Sequence, residues 1–229
     1  MEMEKFLKKE RGMGYIFPDG ATVDVEDTER MCARVAAATE GQEALRSALL
    51  DLGGTCLQEG YREAGVVYIG KAMALADDRT KVGLCLRIGL WLERIRDFES
   101  AARIYALAVG GGPGRVDQWY FVHNNLGYCL NMCGRFAEAE PWCRAAIRID
   151  PNAHNAFKNL GLALAGQGQY AEAARQFMKA FEICPSDPRS FVHLEDMLQA
   201  HPEAATEVPD IAAWASAFRA REIPREGYH

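Results

Sequence analysis

The chain has 229 residues, of which 49% are apolar and 25% charged, and its formal net charge is -6 at pH 7. This composition is typical of one globular domain, and the acidic balance argues against a surface that binds nucleic-acid phosphates. The apolar runs are shorter than the roughly 18 residues that a membrane-crossing helix needs, and residues 1–10 lack the apolar core of a signal peptide. We therefore expect a cytoplasmic protein without a membrane segment.

The N-terminal segment, residues 1–27, contains two short apolar runs separated by Pro18, Asp19 and Gly20. Such a sequence predicts a turn or hairpin between two extended stretches. A second hypothesis is an arm that lies along a groove of its own chain or of a neighbour, because peptide grooves accept extended apolar segments. Residues 28–41 follow as a predicted capping helix that begins at Thr28.

From about residue 42, a pair formed by Leu or Ile and Gly recurs, and the two clearest copies are displaced by 34 residues throughout. Small residues at these positions let two helices approach closely, while glycine and proline end the helices. The matching positions are Asn125, Leu126, Gly127, Gly134, Phe136, Ala139, Cys143, Ala146 and Pro151, then Asn159, Leu160, Gly161, Gly168, Tyr170, Ala173, Phe177, Ala180 and Pro185. Less regular copies contain Leu52-Gly53 and Ile88-Gly89.

This pattern resembles the tetratricopeptide repeat, a helix-turn-helix unit of about 34 residues. The resemblance covers about residues 42–200 and implies an all-α, right-handed α-solenoid of about four repeats, which we expect at 42–79, 80–115, 116–152 and 153–187. Residues 188–229 are expected to form C-terminal capping helices and a tail. Within them, Pro209 begins a short predicted helix whose Trp214 and Phe218 pack on the last repeat.

Motifs for catalysis are absent from the sequence, which has no nucleophile elbow, phosphate-binding loop, zinc-protease motif or dinucleotide fingerprint. The glycine-rich run at 110–114 is interpreted as a connector between helices. Cys129 and Cys133, with His123 and Cys143 nearby, raise the question of a metal site. Seven cysteines at unrelated spacings, without a Cys-x-x-Cys pair, favour buried structural thiols instead. We predict no enzyme, no metal site and no cofactor.

Binding is the function that such repeats favour, because the first helices of stacked hairpins line a concave surface. Helical spacing predicts that this groove contains Arg87, Phe121, Asn124, Asn125, Tyr128, Asn131, Asn155, Lys158, Asn159 and Arg189. Asn125 and Asn159 occupy the same place in consecutive repeats, and an amide can both donate to and accept from a peptide backbone. A solvated helix face also tolerates asparagine, so that alternative stays open.

We therefore predict a non-catalytic adaptor, scaffold or co-chaperone that binds a peptide segment of a partner protein in its groove. Arg87, Lys158 and Arg189 add positive charge there, which indicates an acidic partner. One alternative is a structural protein that forms a homo-oligomer through its arm or its C-terminal helix. Another is an accessory subunit of an enzyme, or a regulator that responds to oxidation at Cys129 and Cys133.

Overall fold

The computed structural model describes residues 15–16, 22–23, 41–58, 60–109, 116–208, 211 and 214. It divides the chain into two compact units, Met1–Asp77 and Asp78–His229. Four predicted segments lie outside the described residues: the arm at 1–27 apart from two short strands, the capping helix at 28–41 apart from Gly41, the connector at 110–114 and the tail beyond Trp214.

The described residues of the first unit form two paired strands and one helical hairpin. Strands β1 (Tyr15–Ile16) and β2 (Thr22–Val23) pair antiparallel, with Tyr15 opposite Val23. Helices α1 (Gln42–Gln58) and α2 (Arg62–Ala74) pack on each other. They approach closely at Gly53, where an added Cβ would lie 2.7 Å from Ile69 Cγ1.

Where the structure describes the second unit, it consists of three further hairpins and two C-terminal helices. Its elements are α3 (Asp78–Arg94), α4 (Phe98–Val109), α5 (Val116–Met132), α6 (Phe136–Ile149), α7 (His154–Gly166), α8 (Tyr170–Ile183), α9 (Arg189–Ala200) and α10 (Ala204–Glu207). Each first helix packs on the second helix of its hairpin, and α3 also packs on α5 and α5 on α7. The predicted all-α repeat fold is confirmed.

The Leu-Gly pair explains why each hairpin closes tightly. A Cβ added at Gly161 of α7 would lie 2.6 Å from the ring of Phe177 on α8, and one at Gly127 of α5 would lie 2.5 Å from Cys143 Sγ on α6. Real Cβ atoms do not approach so closely, so any larger residue would push the helices apart. Phe177 and Cys143 occupy equivalent positions and are both buried.

The turn between the helices of a hairpin requires a left-handed residue. Gly134 has a φ of +73° and Gly168 a φ of +77° in consecutive repeats, where glycine pays no steric penalty. The equivalent residue of the preceding hairpin is Arg96, with a φ of +61°. A left-handed conformation costs a residue with a Cβ roughly 1–2 kcal/mol, so this turn stores a small strain.

The C-terminal helices close the apolar core of the second unit. Phe181 on α8 and Phe191 on α9 surround Trp214, whose ring centroid lies 5.5 Å and 5.9 Å from theirs. The predicted packing of Trp214 on the last repeat is confirmed. Among the residues that the structure describes, no helix has the length and apolar character that crossing a membrane requires.

Candidate functional site

One face of the second unit collects the side chains that the sequence assigns to a groove. We call it the first-helix face, because it is formed by the helices that open each hairpin, α3, α5 and α7, and by α9. Its members are Arg87 and Leu90 on α3, Phe121, Asn124, Asn125, Tyr128 and Asn131 on α5, Asn155, Lys158, Asn159 and Leu162 on α7, and Arg189 on α9. These residues differ widely in burial, which decides what each can contact.

Asn159 does not present its amide to solvent. Only 2% of the residue is exposed, and its Nδ2 donates to Asn124 Oδ1 at 3.0 Å and to the Asn124 carbonyl at 3.5 Å. Asn131 Nδ2 in turn donates to the Asn159 carbonyl at 2.8 Å. These contacts join α5 to α7. The expectation that Asn159 faces a partner therefore has to be corrected, because neighbouring helices pack over this position.

The hydrogen bonds continue from Asn124 into the preceding hairpin. Asn124 Nδ2 donates to Asn125 Oδ1 at 3.1 Å, and Asn125 Nδ2 donates to the Tyr105 hydroxyl at 3.2 Å. The hydroxyl donates to Glu93 Oε1 at 2.6 Å. We call this series the amide chain, which links α7 to α3 through α5 and α4. Both the oxygen and the nitrogen of the Asn125 amide are hydrogen-bonded within the amide chain. The expected exposed pair of Asn125 and Asn159 therefore does not form.

Burial shifts the pKa values of the two titratable groups in the amide chain, Glu93 and Tyr105. Burial raises the pKa of the Glu93 carboxyl, and hydrogen bonds from Tyr105 and Cys129 oppose that rise only in part. The pKa of the Tyr105 hydroxyl lies above its ordinary range, because the residue is buried and donates to Glu93. Tyr105 therefore remains a donor to Glu93 across the physiological range of pH.

Two large apolar side chains on the first-helix face remain open to solvent. Phe121 of α5 is 50% exposed and Leu90 of α3 is 49% exposed. Tyr128 is half-buried and makes an edge-on contact with Phe98, with ring centroids 5.7 Å apart. Arg87 is exposed on α3. This end of the face can supply apolar contact to a partner.

The other end of the first-helix face is cationic. Lys158 Nζ donates to Asn155 Oδ1 at 3.0 Å, and Arg189 Nη2 lies 3.3 Å from the same oxygen. Asp187 holds the guanidinium, with Arg189 Nη2 2.6 Å from Oδ2 and Nε 2.8 Å from Oδ1. His154 Nε2 lies 3.1 Å from Asp187 Oδ2. The structure thus brings Asn155, Lys158 and Arg189 together, and Asp187 lies between Arg189 and His154.

These contacts shift the ionisation of the group. Burial and the Arg189 charge lower the pKa of Lys158 to about 8, against an opposing pull from Asp187. Burial acts to raise the pKa of Asp187, but hydrogen bonds and charge from Arg189 hold it well below its ordinary range. The pKa of His193 on α9 is lowered by burial and by the charge on Lys158.

The cysteines that raised a metal or redox hypothesis are poorly suited to either. Burial raises the pKa of Cys129 above its ordinary range, and burial together with Glu99 raises that of Cys133 to about 11. Both thiols are therefore protonated near neutral pH, which disfavours thiolate chemistry. Within the described residues, no group of three His, Cys, Asp or Glu side chains could hold a metal ion.

Glu93, Tyr105 and Asp187 are the site residues that sequence reasoning missed. Tyr105 occupies the same repeat position as Cys143 and Phe177, so the sequence pattern predicts a core residue and not a site residue. Asp187 could have been found, because a carboxylate just before Pro188 and Arg189 is a helix-start signal. Its Oδ1 does accept from the Arg189 backbone N–H at 3.1 Å.

Part of the chain is similar in sequence to known repeat proteins. A family model of the tetratricopeptide repeat matches residues 121–186. The chain is 31% identical over 120 residues to mouse Superkiller complex protein 3, a match that covers 52% of this chain and 7% of that protein. It is also 31% identical over 90 residues to human Tetratricopeptide repeat protein 7B, covering 39% of this chain and 10% of that protein. The chain thus matches only a small part of either relative.

Solved structures give the same fold at low identity. A structure of MamA from Desulfovibrio magneticus RS-1, from residue 41 to its end, has a TM-score of 0.52 and 18% identity, covering 77% of this chain and 97% of that chain. YrrB, described as a TPR protein with an unusual peptide-binding site, has a TM-score of 0.52 and 17% identity, covering 83% of this chain and 93% of that chain. The repeated hairpins and the matching family model show that the chain contains tetratricopeptide repeats, with the model match at residues 121–186.

Proposed function

We propose that the chain is a non-catalytic protein-interaction module, an adaptor, scaffold or co-chaperone, that binds an extended segment of a partner protein along the first-helix face. The observation that carries this proposal is the exposure of Phe121 and Leu90 on the packed helices α5 and α3. Single exposed apolar residues are common on protein surfaces. These two lie on the same face as Asn155, Lys158 and Arg189, and apolar anchors beside polar groups are typical of binding sites.

Asn155 is the amide that we assign to backbone recognition. Its Oδ1 accepts from Lys158 and Arg189, and in the described part of the chain no acceptor lies within hydrogen-bonding distance of its Nδ2. The Nδ2 group can therefore donate to a main-chain carbonyl of an extended ligand. Asn125 and Asn159 support the site from below, because the amide chain and the α5–α7 contact hold the helices that display Phe121 and Asn155.

The partner segment is expected to contain acidic residues. Lys158, Arg189 and Arg87 place positive charge on this face of a chain whose net charge is -6. Complementary charge speeds encounter and selects among partners. A cytoplasmic setting remains part of the proposal, since the described cysteines are free thiols, as is usual in a reducing compartment.

A second copy of the chain, or an enzyme that the chain assists, is an alternative occupant of the same face. Sedimentation of the isolated chain separates these cases. A mass that rises with concentration, and falls again in Phe121→Ala, would identify self-association through the first-helix face. A monomeric mass at all concentrations would exclude self-association, and the expected ligand of the first-helix face would then be a different protein.

The proposal is tested by selecting random linear peptides that bind the intact chain and measuring their dissociation constants by calorimetry. Phe121→Ala and Leu90→Ala should each weaken binding about tenfold, as expected for the loss of a central apolar anchor. Leu107→Ala is the matched control, because Leu107 is an exposed apolar residue on the second helix α4. Equal losses in all three variants, or no loss in the first two, would contradict the proposed face.

A further inference from the structure

Arg96 occupies a left-handed turn position that later hairpins give to glycine. Its φ is +61°, and the equivalent residues of the next two hairpins are Gly134 and Gly168. A residue with a Cβ pays a free-energy cost at a positive φ that glycine avoids, and strain of this kind is concentrated at functional positions. The contacts of the exposed Arg96 side chain therefore indicate why an arginine stands in this turn.

The Arg96 guanidinium lies over an aromatic ring. Its Cζ is 5.7 Å from the ring centroid of Phe98, the first residue of α4. The Phe98 ring meets Tyr128 of α5 edge-on, with centroids 5.7 Å apart and an interplanar angle of 88°. Cation–π and edge-to-face contacts both favour particular ring orientations. These three side chains, which we call the turn stack, connect the hairpin turn with the first-helix face.

The following hairpin uses its equivalent aromatic residue differently. Phe136 packs on the backbone of α7 at Gly166, where an added Cβ would lie 2.3 Å from the ring. The α5 residue in the place of Gly166 is Met132, whose side chain is 42% exposed. Phe98 contacts the Tyr128 ring, and not a glycine of the next first helix. The turn stack is therefore a feature of this hairpin that the repeat pattern alone does not require.

Tyr128 is the end of the turn stack that can meet a partner. It is half-buried on α5, and in the described part of the chain its hydroxyl has no hydrogen-bond partner. Burial and the Glu93 charge raise the pKa of this hydroxyl, while the charges on Arg96 and Arg189 oppose the rise. Those two charges come from the turn after α3 and from α9, so Tyr128 is within reach of both ends of the face. A protonated phenol can donate and accept hydrogen bonds, and central tyrosines are often the strongest contacts of an interface.

We propose that Tyr128 is the central contact of the first-helix face, with its hydroxyl hydrogen-bonded to the main chain of the partner segment, and that Arg96 is a positioning residue that orients the Tyr128 ring through Phe98. This inference rests on the proposed function, because it assigns roles to residues of the same face. Arg96 acts through Phe98 and does not itself contact the partner. Glycine at position 96 would relieve the turn but would leave the Phe98 ring without its cation.

Arg96→Gly should therefore weaken binding without weakening the fold. Glycine removes the left-handed strain, so the midpoint of urea denaturation should stay level or rise. The dissociation constants of peptides selected against the intact chain should increase about three- to tenfold, because the Tyr128 ring loses its fixed orientation. Arg96→Lys retains both the strain and a cation over Phe98, so its dissociation constants should stay within about twofold of wild type.

Substitutions of Tyr128 show whether Arg96 acts through this ring. Tyr128→Phe removes only the hydroxyl and should weaken binding about three- to tenfold, as expected for one lost hydrogen bond. In a Tyr128→Ala background the ring is absent, so adding Arg96→Gly should weaken binding by less than about twofold. Arg94→Ala is the matched control, because Arg94 is an exposed cation in the last turn of α3. It should leave the dissociation constants unchanged.

Several results would overturn the positioning role of Arg96. They are unchanged binding in Arg96→Gly, equal losses in Arg96→Gly and Arg96→Lys, an undiminished loss in the Tyr128→Ala background, or a lowered urea midpoint for Arg96→Gly. Unchanged binding in Tyr128→Phe would overturn the role of the hydroxyl. If the peptides still depend on Phe121 in these cases, the proposed function stands without the turn stack. Peptides that bind without depending on either Phe121 or Tyr128 would overturn both.

Discussion

Asn159 and Asn124 form a side-chain hydrogen bond of 3.0 Å across the contact between α7 and α5, in the row of residues that we expected to face a ligand. Because of this bond, the Asn159 side chain is buried and holds two consecutive repeats in a fixed relative position. The hydrogen bonds continue from Asn124 through Asn125 and Tyr105 to Glu93. The Asn159 side chain of α7 therefore influences how three hairpins pack on each other.

Asn159→Ala should destabilise the fold. The substitution leaves the buried Asn124 oxygen without its donor, which costs about 1–3 kcal/mol. Urea denaturation measures the loss as a shift in midpoint at constant slope. Asn152→Ala, at an exposed turn position, is the control and should change stability by less than about 0.5 kcal/mol. An unchanged midpoint for Asn159→Ala would mean that the amide chain carries no stability.

Replacing each of two glycines of α3 with alanine should change the stability of the fold in opposite directions. A Cβ at Gly89 would lie 2.3 Å from the Tyr105 ring, so Gly89→Ala should cost about 1–3 kcal/mol through overpacking. A Cβ at Gly83 meets no atom within 4 Å, so Gly83→Ala should stabilise the helix by about 0.5–1 kcal/mol. Thermal unfolding of the two variants checks both signs, and equal effects would contradict the close approach of α3 and α4.

Lys158→Met should stabilise the protein at neutral pH, because Lys158 is a buried cation. The pKa of Lys158 is about 8 in the folded chain and 10.5 for a solvated lysine, so the unfolded chain binds more protons between these values. The contribution of Lys158 to the free energy of unfolding is therefore lowest below pH 8 and rises as the pH increases toward 10.5. The variant should be more stable by about 1–3 kcal/mol at pH 7, and its advantage should shrink by pH 10.

Urea denaturation of both proteins at pH 7 and pH 10 checks this prediction. The other titrating groups are present in both proteins, so their contributions largely cancel in the difference between the two free energies of unfolding. An advantage that does not change with pH would show that the methionine acts through apolar packing alone. A variant that is less stable than wild type at pH 7 would contradict an unpaired buried charge.

Cys129 and Cys133 should react slowly with iodoacetamide in the folded chain at pH 8. Their raised pKa values leave little thiolate, and Cys129 is fully buried. Mass spectrometry after timed alkylation gives the rate for each thiol, with the chain in urea as the reactive control. Rapid modification of either residue before unfolding would restore the hypothesis of a redox regulator.

Much of the fold could be predicted from local pattern. The turn glycines and the Leu-Gly pairs repeat at fixed offsets because each performs one steric task, and the structure has α5 ending at Met132 and α7 ending at Gly166, just before Gly134 and Gly168. Arg96 replaces the turn glycine of the preceding hairpin and takes the same left-handed conformation. The hairpin geometry, set by packing, overrides the preference of that residue.

The candidate site was predicted less well, because burial depends on contacts between repeats. Helical spacing places Phe121 and Asn159 on one face, but it could not distinguish the residue that is half exposed from the one that is 2% exposed. The close approach of Lys158 and Arg189 to the Asn155 side chain also could not be predicted from the sequence. Arg189 comes from α9, whose position is fixed by contacts of Phe191 with Phe181 and Trp214 that no repeat pattern encodes.

The most direct measurement of the central claim is site-specific photocrosslinking of a selected peptide to the intact chain. A photoreactive phenylalanine analogue replaces Phe121 on the first-helix face in one sample and Leu107 on α4 in another, both of which are exposed. Binding along the first-helix face predicts a crosslinked product from position 121, competed by unlabelled peptide, and none from position 107. A competed product from position 107 alone would contradict the account.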